Sequence, residues 1–216
     1  GQSTLNSVTS PQVVLLTHAK LFSPEQPAGC MVLQLARWLR ANGYRVFLVN
    51  QLAMDDFVDS CVPKFRELFD RVFFVDTGKR CKKLPAQREP LCATDLYFEN
   101  TVQCLEQIHS RYNIYAVIAE QVHMASALRI LPDSVKKYVH AHEVLHLGAA
   151  PITTTSNGTG KAATISREQE IELLACANEL IAAQDTDRTV LSEMLPDSKM
   201  LTVSMSAGEW AVCPPS

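Results

Sequence analysis

The seven cysteines of this 216-residue chain, at positions 30, 61, 81, 92, 104, 176 and 213, include no CxxC pair and no regular framework. A disulfide scaffold is therefore not expected: the cysteines read as reduced thiols of a cytoplasmic protein, with one left over if all were forced into pairs. No apolar run approaches the ~18 residues needed to span a bilayer. The N-terminus also lacks the charged-then-apolar order of a secretory signal. A net charge of -3 and a pI near 6.1 argue against a broad nucleic-acid surface, though not against a local basic loop.

What the chain does have is 47% apolar residues, enough to bury one sizeable core. Short β-branched or aliphatic runs alternate with amphipathic stretches at helical spacing. That pattern predicts an α/β fold: a Rossmann-like, doubly wound, mainly parallel sheet of about seven strands with helices on both faces. Expected strands are Gln12 to Thr17, Val46 to Val49, Val72 to Val75, Ile114 to Ala119, Val135 to His140, Leu180 to Ala183 and Lys199 to Val203. Residues 22–29, FSPEQPAG, should break regular structure before a helix carrying Met31, Leu35, Trp38 and Leu39, which Asn42 and Gly43 stop. Further helices are expected over Val62 to Phe69, from Asp95 with Leu105, Ile108 and Tyr112 on the buried side, up to Leu131, and over Thr186 to Leu195. Ser166 and Gln169 form a capping box for another, with Ile171, Leu174 and Ala175 buried.

Two stretches resist packing. Residues 77–91 carry Lys79, Arg80, Lys82, Lys83 and Arg88 with two prolines, which reads as a solvated loop or as a surface for anionic lipid or a phosphorylated ligand. Residues 151–163 are rich in Thr, Ser, Gly and Asn and read as a mobile loop beside the candidate site. Residues 1–10 read as a flexible lead-in.

The stretch KKYVHAHEVLH, residues 136–146, holds the densest chemistry. His142, Glu143 and His146 spell HExxH, in which two imidazoles one helical turn apart bind zinc and the glutamate polarises a water. A metalloprotease of that kind needs a long helix, whereas Lys136 to Ala141 is strand-like and Gly148 and Pro151 follow closely. The competing reading is a strand running into a loop, with no metal. Ligands in an open α/β sheet bind beyond the C-terminal strand ends, and there Glu120, Gln121, His123 and the pair Gln184 and Asp185 fall. Helix capping is the alternative for each of them.

Three groups of segments, in order, resemble the N-terminal half of GT-B glycosyltransferases, of the large retaining-type, group-1 or family-4-like class that builds bacterial glycans. They are VVLLTH with PAGCMVLQLARWLRANGYRVFLV, YAVIAEQVHMASALRILP with KKYVHAHEVLHL, and ELLACANELIAAQDTDRTVLSEMLP with KMLTVSMSAGEW. The likeness covers residues 12–206. It implies an acceptor-side domain over residues 11–206, a linker or tail over 207–216, and a missing C-terminal domain that binds most of the nucleotide-sugar donor. Sugar would pass to a glycan or lipid-linked acceptor, without a cofactor, and this domain alone would be inactive. A cytoplasmic enzyme is implied, with peripheral contact at the inner face of the membrane. A non-catalytic glycan-binding or assembly domain of the same fold is the other alternative.

Carried over residue by residue, the resemblance places Gly29 where a glycine lets the backbone approach a ligand. It places His142 at the family histidine facing the reacting sugar, where an imidazole can take or give a proton. Glu143 would orient His142; Glu120, His123, His146 and Gln184 would contact substrate. Two departures are visible: the family's paired glycines are Ala28 and Gly29 here, and its Asp or Thr after the histidine is Glu143.

Overall fold

The computed structural model describes residues 10–23, 26–53, 56, 59–76, 99–148 and 165–203. The lead-in, the basic stretch 77–91, the start of the helix expected from Asp95, the loop 151–163 and the tail 207–216 lie outside the described residues.

Seven strands form one all-parallel sheet: β1 (Gln12–Thr17), β2 (Arg45–Leu52), β3 (Arg71–Asp76), β4 (Ile114–Glu120), β5 (Lys136–Ala141), β6 (Glu179–Ala182) and β7 (Lys199–Thr202). Their order is β3-β2-β1-β4-β5-β6-β7, so the chain reverses direction between β1 and β4. The expected fold class is thus the observed one, with every strand within three residues of its expected ends.

Alternation along the strands divides the core in two. Val13, Leu15, Val46, Leu48, Ala116, Ile118 and Ile181 pack on one face beneath α1 (Pro27–Ala41) and α2 (Val62–Leu68). Val14, Leu16, Phe47, Val49, Val117, Ala119 and Val139 pack on the other. There α3 (Glu99–Arg111), α4 (Arg167–Leu174) and α5 (Asp185–Met194) cover them.

Local chemistry explains the ends of these elements. Asn42 caps α1 and Gly43 follows at φ +86, a left-handed conformation that glycine adopts without steric cost. Ser166 accepts from the Gln169 amide at 3.1 Å while the Gln169 side chain accepts from the Ser166 amide at 3.0 Å, completing the predicted capping box.

Three expectations need correction. The helix α1 begins at Pro27, inside the segment expected to be irregular, because proline's missing N–H and fixed φ suit a first helical turn. Val122–Ile130 is a 3-10 helix, entered through Gln121 at φ 71 and ψ 154. Cys30 is disulfide-bonded, although Cys61, Cys104 and Cys176 are free thiols as expected. Spacing along a chain does not reveal which cysteines folding brings within bridging distance.

Candidate functional site

Parallel pairing builds the site. Glu120, the last residue of β4, pairs in register with His140 on β5. Their side chains continue the face on which Ile118 and Tyr138 lie, and His142, two residues beyond His140, returns to the same side. Both imidazoles meet one oxygen: His140 Nδ1 lies 2.8 Å and His142 Nε2 2.7 Å from Glu120 Oε2. The two rings themselves meet edge to face, with centroids 4.7 Å apart.

Two more imidazoles complete the cluster. His18 follows β1 and His123 follows β4, so both lie at the sheet's reversal point, and their rings meet edge to face at 5.4 Å. The segment carrying His18 is held by Asn50 at the end of β2. Its Nδ2 donates to Ala19 O at 3.0 Å, and Thr17 Oγ1 accepts from the Ala19 amide at 3.0 Å.

All of these groups except His18 are less than a tenth exposed, and Glu120 and His140 are fully buried. Burial alone would push the Glu120 carboxyl up, but the His140 charge and the hydrogen bonds from both rings outweigh it and hold it at about 2. Burial pushes His18 down to about 3 and His123 to about 4, with neighbouring imidazoles adding to it, and burial also lowers His142 against the opposing hydrogen bond to Glu120. The result is a buried carboxylate hydrogen-bonded to two imidazoles, of which burial disfavours the charged form of His142.

Gln121 sits in a backbone region normally left to glycine, and its amide donates to His140 O at 2.9 Å. Such a conformation costs ~1–3 kcal/mol and persists only where surrounding structure enforces it. Here it turns the chain sharply after Glu120, holding the carboxylate on β4 while sending His123 back over the strand ends.

No family model matches the sequence, and no curated protein matches it. Solved structures do. Apo UGT2 of Phytolacca americana matches over 91% of this chain and 52% of its own, with a TM-score of 0.56 at 9% identity. UGT89C1 of Arabidopsis thaliana complexed with quercetin matches over 90% and 50%, with a TM-score of 0.54 at 12% identity. The same enzyme complexed with UDP gives 0.51 at 14% identity, over 91% and 50%.

The fold is one half of a GT-B fold. This chain spans about half the length of each structure it matches.

In this half the remaining expected site residues fall in different places. Glu143 is exposed, and the carboxylate that His142 meets is that of Glu120. Gln184 is exposed at the N-cap of α5, beyond the end of β6, without a side-chain capping bond. Gly29 is buried in the first turn of α1, where a Cβ would stand 2.7 Å from Lys20 O. Its lack of a side chain is needed for packing within the chain.

His146 belongs to a separate fastening. Its Nδ1 and amide lie 2.6 and 3.0 Å from Glu170 Oε2, and Leu145 N donates to Glu170 Oε1 at 2.7 Å. His142 therefore directly follows β5 while His146 sits in the 3-10 turn Leu145–Leu147, each with its own carboxylate. HExxH is not on a helix here, so the two imidazoles do not share one helical face and the metalloprotease reading fails.

Sequence reasoning missed His18 and the role of His140. The position of His18, one residue past the first strand, was the available signal for the former. For His140 there was none, because inward and outward positions on β5 depend on register. Cavities of about 490 Å³ beside β3 and about 310 Å³ beside Trp38 and Tyr138 are lined by other residues. The histidine cluster instead stands at the C-terminal ends of the strands.

Proposed function

We propose that this chain is the acceptor-side half of a glycosyltransferase, moving a sugar from a nucleotide-sugar donor to a glycan or lipid-linked acceptor. The observation that carries this reading is the buried carboxylate and histidine cluster at the C-terminal strand edge, beside the reversal point of a GT-B half. Ligands of open α/β sheets bind in that crevice. UGT89C1 has been solved with UDP and with UDP-L-rhamnose, and UGT2 with UDP-2fluoro-glucose and pterostilbene, which supports a nucleotide-sugar and an acceptor as partners here.

Within this reading residues 11–206 form one wall of the cleft, residues 207–216 begin the connection, and a second Rossmann-like domain holds the donor's diphosphate. The order of the three matching segments supports the retaining, bacterial-glycan class. No described helix is long and apolar enough to cross a membrane. The basic stretch 77–91 supports contact with an anionic, lipid-linked acceptor at a membrane face.

His142 is the residue we assign to contact with the reacting sugar. Its Nε2 is tied to Glu120, and its buried Nδ1, without a partner among the described residues, is the nitrogen left to bond a sugar hydroxyl. Glu120 sets the ring's orientation, a part first assigned to Glu143; His123 and His18 line the same edge.

The test is donor turnover by the protein joined to its second domain, wild type against His142→Ala. We expect a loss of roughly 100-fold, the usual size for removing one well-placed polar group from a transition state. Equal turnover would remove His142 from the chemistry. No turnover with any nucleotide-sugar, together with retained glycan binding, would make this a binding domain. The chain alone should turn over no donor.

A further inference from the structure

The buried cluster leaves an unusual number of polar atoms without partners. Among the described residues, Glu120 Oε1, His140 Nε2, His142 Nδ1, His18 Nδ1 and both ring nitrogens of His123 are buried and make no hydrogen bond. Buried polar groups are otherwise almost always satisfied, so six orphans in five neighbouring side chains mark this cluster as one that an outside partner completes. Each orphan costs ~1–3 kcal/mol, more than a fold accumulates at one spot without a return.

The chemistry of these atoms limits what that partner is. They are imidazole nitrogens and a carboxylate oxygen, and an imidazole nitrogen without a proton offers a lone pair. Neutral imidazoles around an ionised carboxylate are a donor set for a divalent first-row transition ion. A sugar hydroxyl would satisfy one or two of them and leave the negative charge buried.

We infer that Glu120, His140 and His142 form a binding site for a single divalent transition-metal ion, with zinc as the best-fitting occupant. One ligand atom from each lies within 4.8 Å of the others. Zinc bonds of 2.0–2.1 Å in a tetrahedral site hold ligand atoms ~3.3 Å apart. The present spacings of 2.8 and 2.7 Å to Glu120 Oε2 need to open by only ~0.5 Å, within the reach of small side-chain rotations. The ion would replace two imidazole-to-carboxylate hydrogen bonds with three coordinate bonds through Glu120 Oε2, His140 Nδ1 and His142 Nε2, neutralise a buried charge, and leave Glu120 Oε1, His140 Nε2 and His142 Nδ1 to ligands outside the metal. Two histidines and one carboxylate leave a position for an outside oxygen ligand.

This site differs from HExxH in every residue but His142. It uses no helix, takes its carboxylate from a different strand, and excludes His146, whose ring is committed to Glu170. It also leaves His142 Nδ1 to the sugar, so the ion and the proposed acceptor contact are compatible.

The experiment is zinc binding by the purified protein after chelation and dialysis, read by elemental analysis and by titration calorimetry, without any sugar substrate. We expect one equivalent per chain. Affinity should fall at least about 10-fold in Glu120→Gln and in His142→Asn, since loss of even an outer partner of a metal ligand commonly costs that much. His142→Asn keeps an N–H for Glu120, and circular dichroism confirms that it folds. Zinc should raise the Tm of the wild type and not that of either variant. Cobalt substitution should give the intense visible bands of a four-coordinate centre. Wild-type binding no tighter than that of Glu120→Gln would overturn the proposal. So would loss of the zinc in His146→Ala with retention in His142→Asn, which would return the metal to HExxH. Because no donor sugar enters the assay, a failure here leaves the sugar-transfer reading to its own test.

Discussion

Two buried glutamates in this molecule each face histidine, and their surroundings differ in one respect. Glu170 has both oxygens engaged: Oε1 by the Leu145 amide, Oε2 by the His146 amide and ring. Glu120 has one oxygen doubly engaged and the other bare, and the far nitrogens of both its rings are bare as well. Glu170 is a closed fastening that ties the turn after β5 to α4. Glu120 is an open one, and open polar groups in a buried place are what binding sites consist of before the ligand arrives.

The sharpest way to break this comparison is to replace each carboxylate by its amide. Three N–H groups converge on Glu170, and an amide offers a single oxygen to them while turning its own N–H₂ against the rest. Glu170→Gln should cost ~3 kcal/mol in urea unfolding, the loss expected when buried donors are stranded beside a former charge. Both donors to Glu120 use Oε2 alone, so a carbonyl oxygen can take both. Glu120→Gln should therefore cost less than Glu170→Gln, while metal affinity falls at least about 10-fold. Equal costs at the two positions would erase the distinction.

Acid should act on the open cluster first. The folded-state values of His18 and His123, about 3 and 4, lie below the unfolded 6.5, so the unfolded chain binds more protons in that window. Their contribution is complete above pH 6.5 and is lost as the pH falls from there towards 4 and then 3. Glu120, held at about 2 against 4.5, adds a loss below pH 4.5 in the same direction. In the presence of chelator we expect stability to drop by roughly 5 kcal/mol between pH 7 and pH 4.5, about half from each histidine. His123→Phe should flatten that slope, as read from urea midpoints at each pH; an unchanged slope would mean that His123 titrates normally.

The smallest effect concerns the strained residue beside Glu120. Gln121→Gly should raise stability by ~1 kcal/mol, because glycine adopts φ 71 freely. It should also weaken zinc binding slightly by loosening the turn that fixes Glu120. A destabilised Gln121→Gly, measured by thermal unfolding, would show that the side chain outweighs the backbone strain.

Much of the scaffold could be read directly along the chain. Runs such as VVLLT in β1 and AVIA in β4 are buried on both faces, and such strands announce themselves by composition without needing register. Ser166 and Gln169 were legible because a capping box is a contact between residues three apart. Glu120, His123 and His142 were legible as edge residues because each follows an apolar strand. The segment 122–130 misled, since its composition suits an α-helix while the turn at Gln121 imposes 3-10 geometry.

By itself, then, the sequence determined the alternation of strands and helices and the accumulation of histidine and glutamate at the strand ends, because these follow from short-range periodicity and hydrogen bonding. The tertiary structure alone decided which histidine meets which carboxylate. Glu120 and His142 are 22 residues apart and Glu170 and His146 are 24 apart, and neither pairing follows from spacing. Parallel register brought Glu120 beside His140 and, one alternation further, His142, while the packing of α4 delivered Glu170 to His146. That division made HExxH, one motif in the chain, into two separate places in the fold.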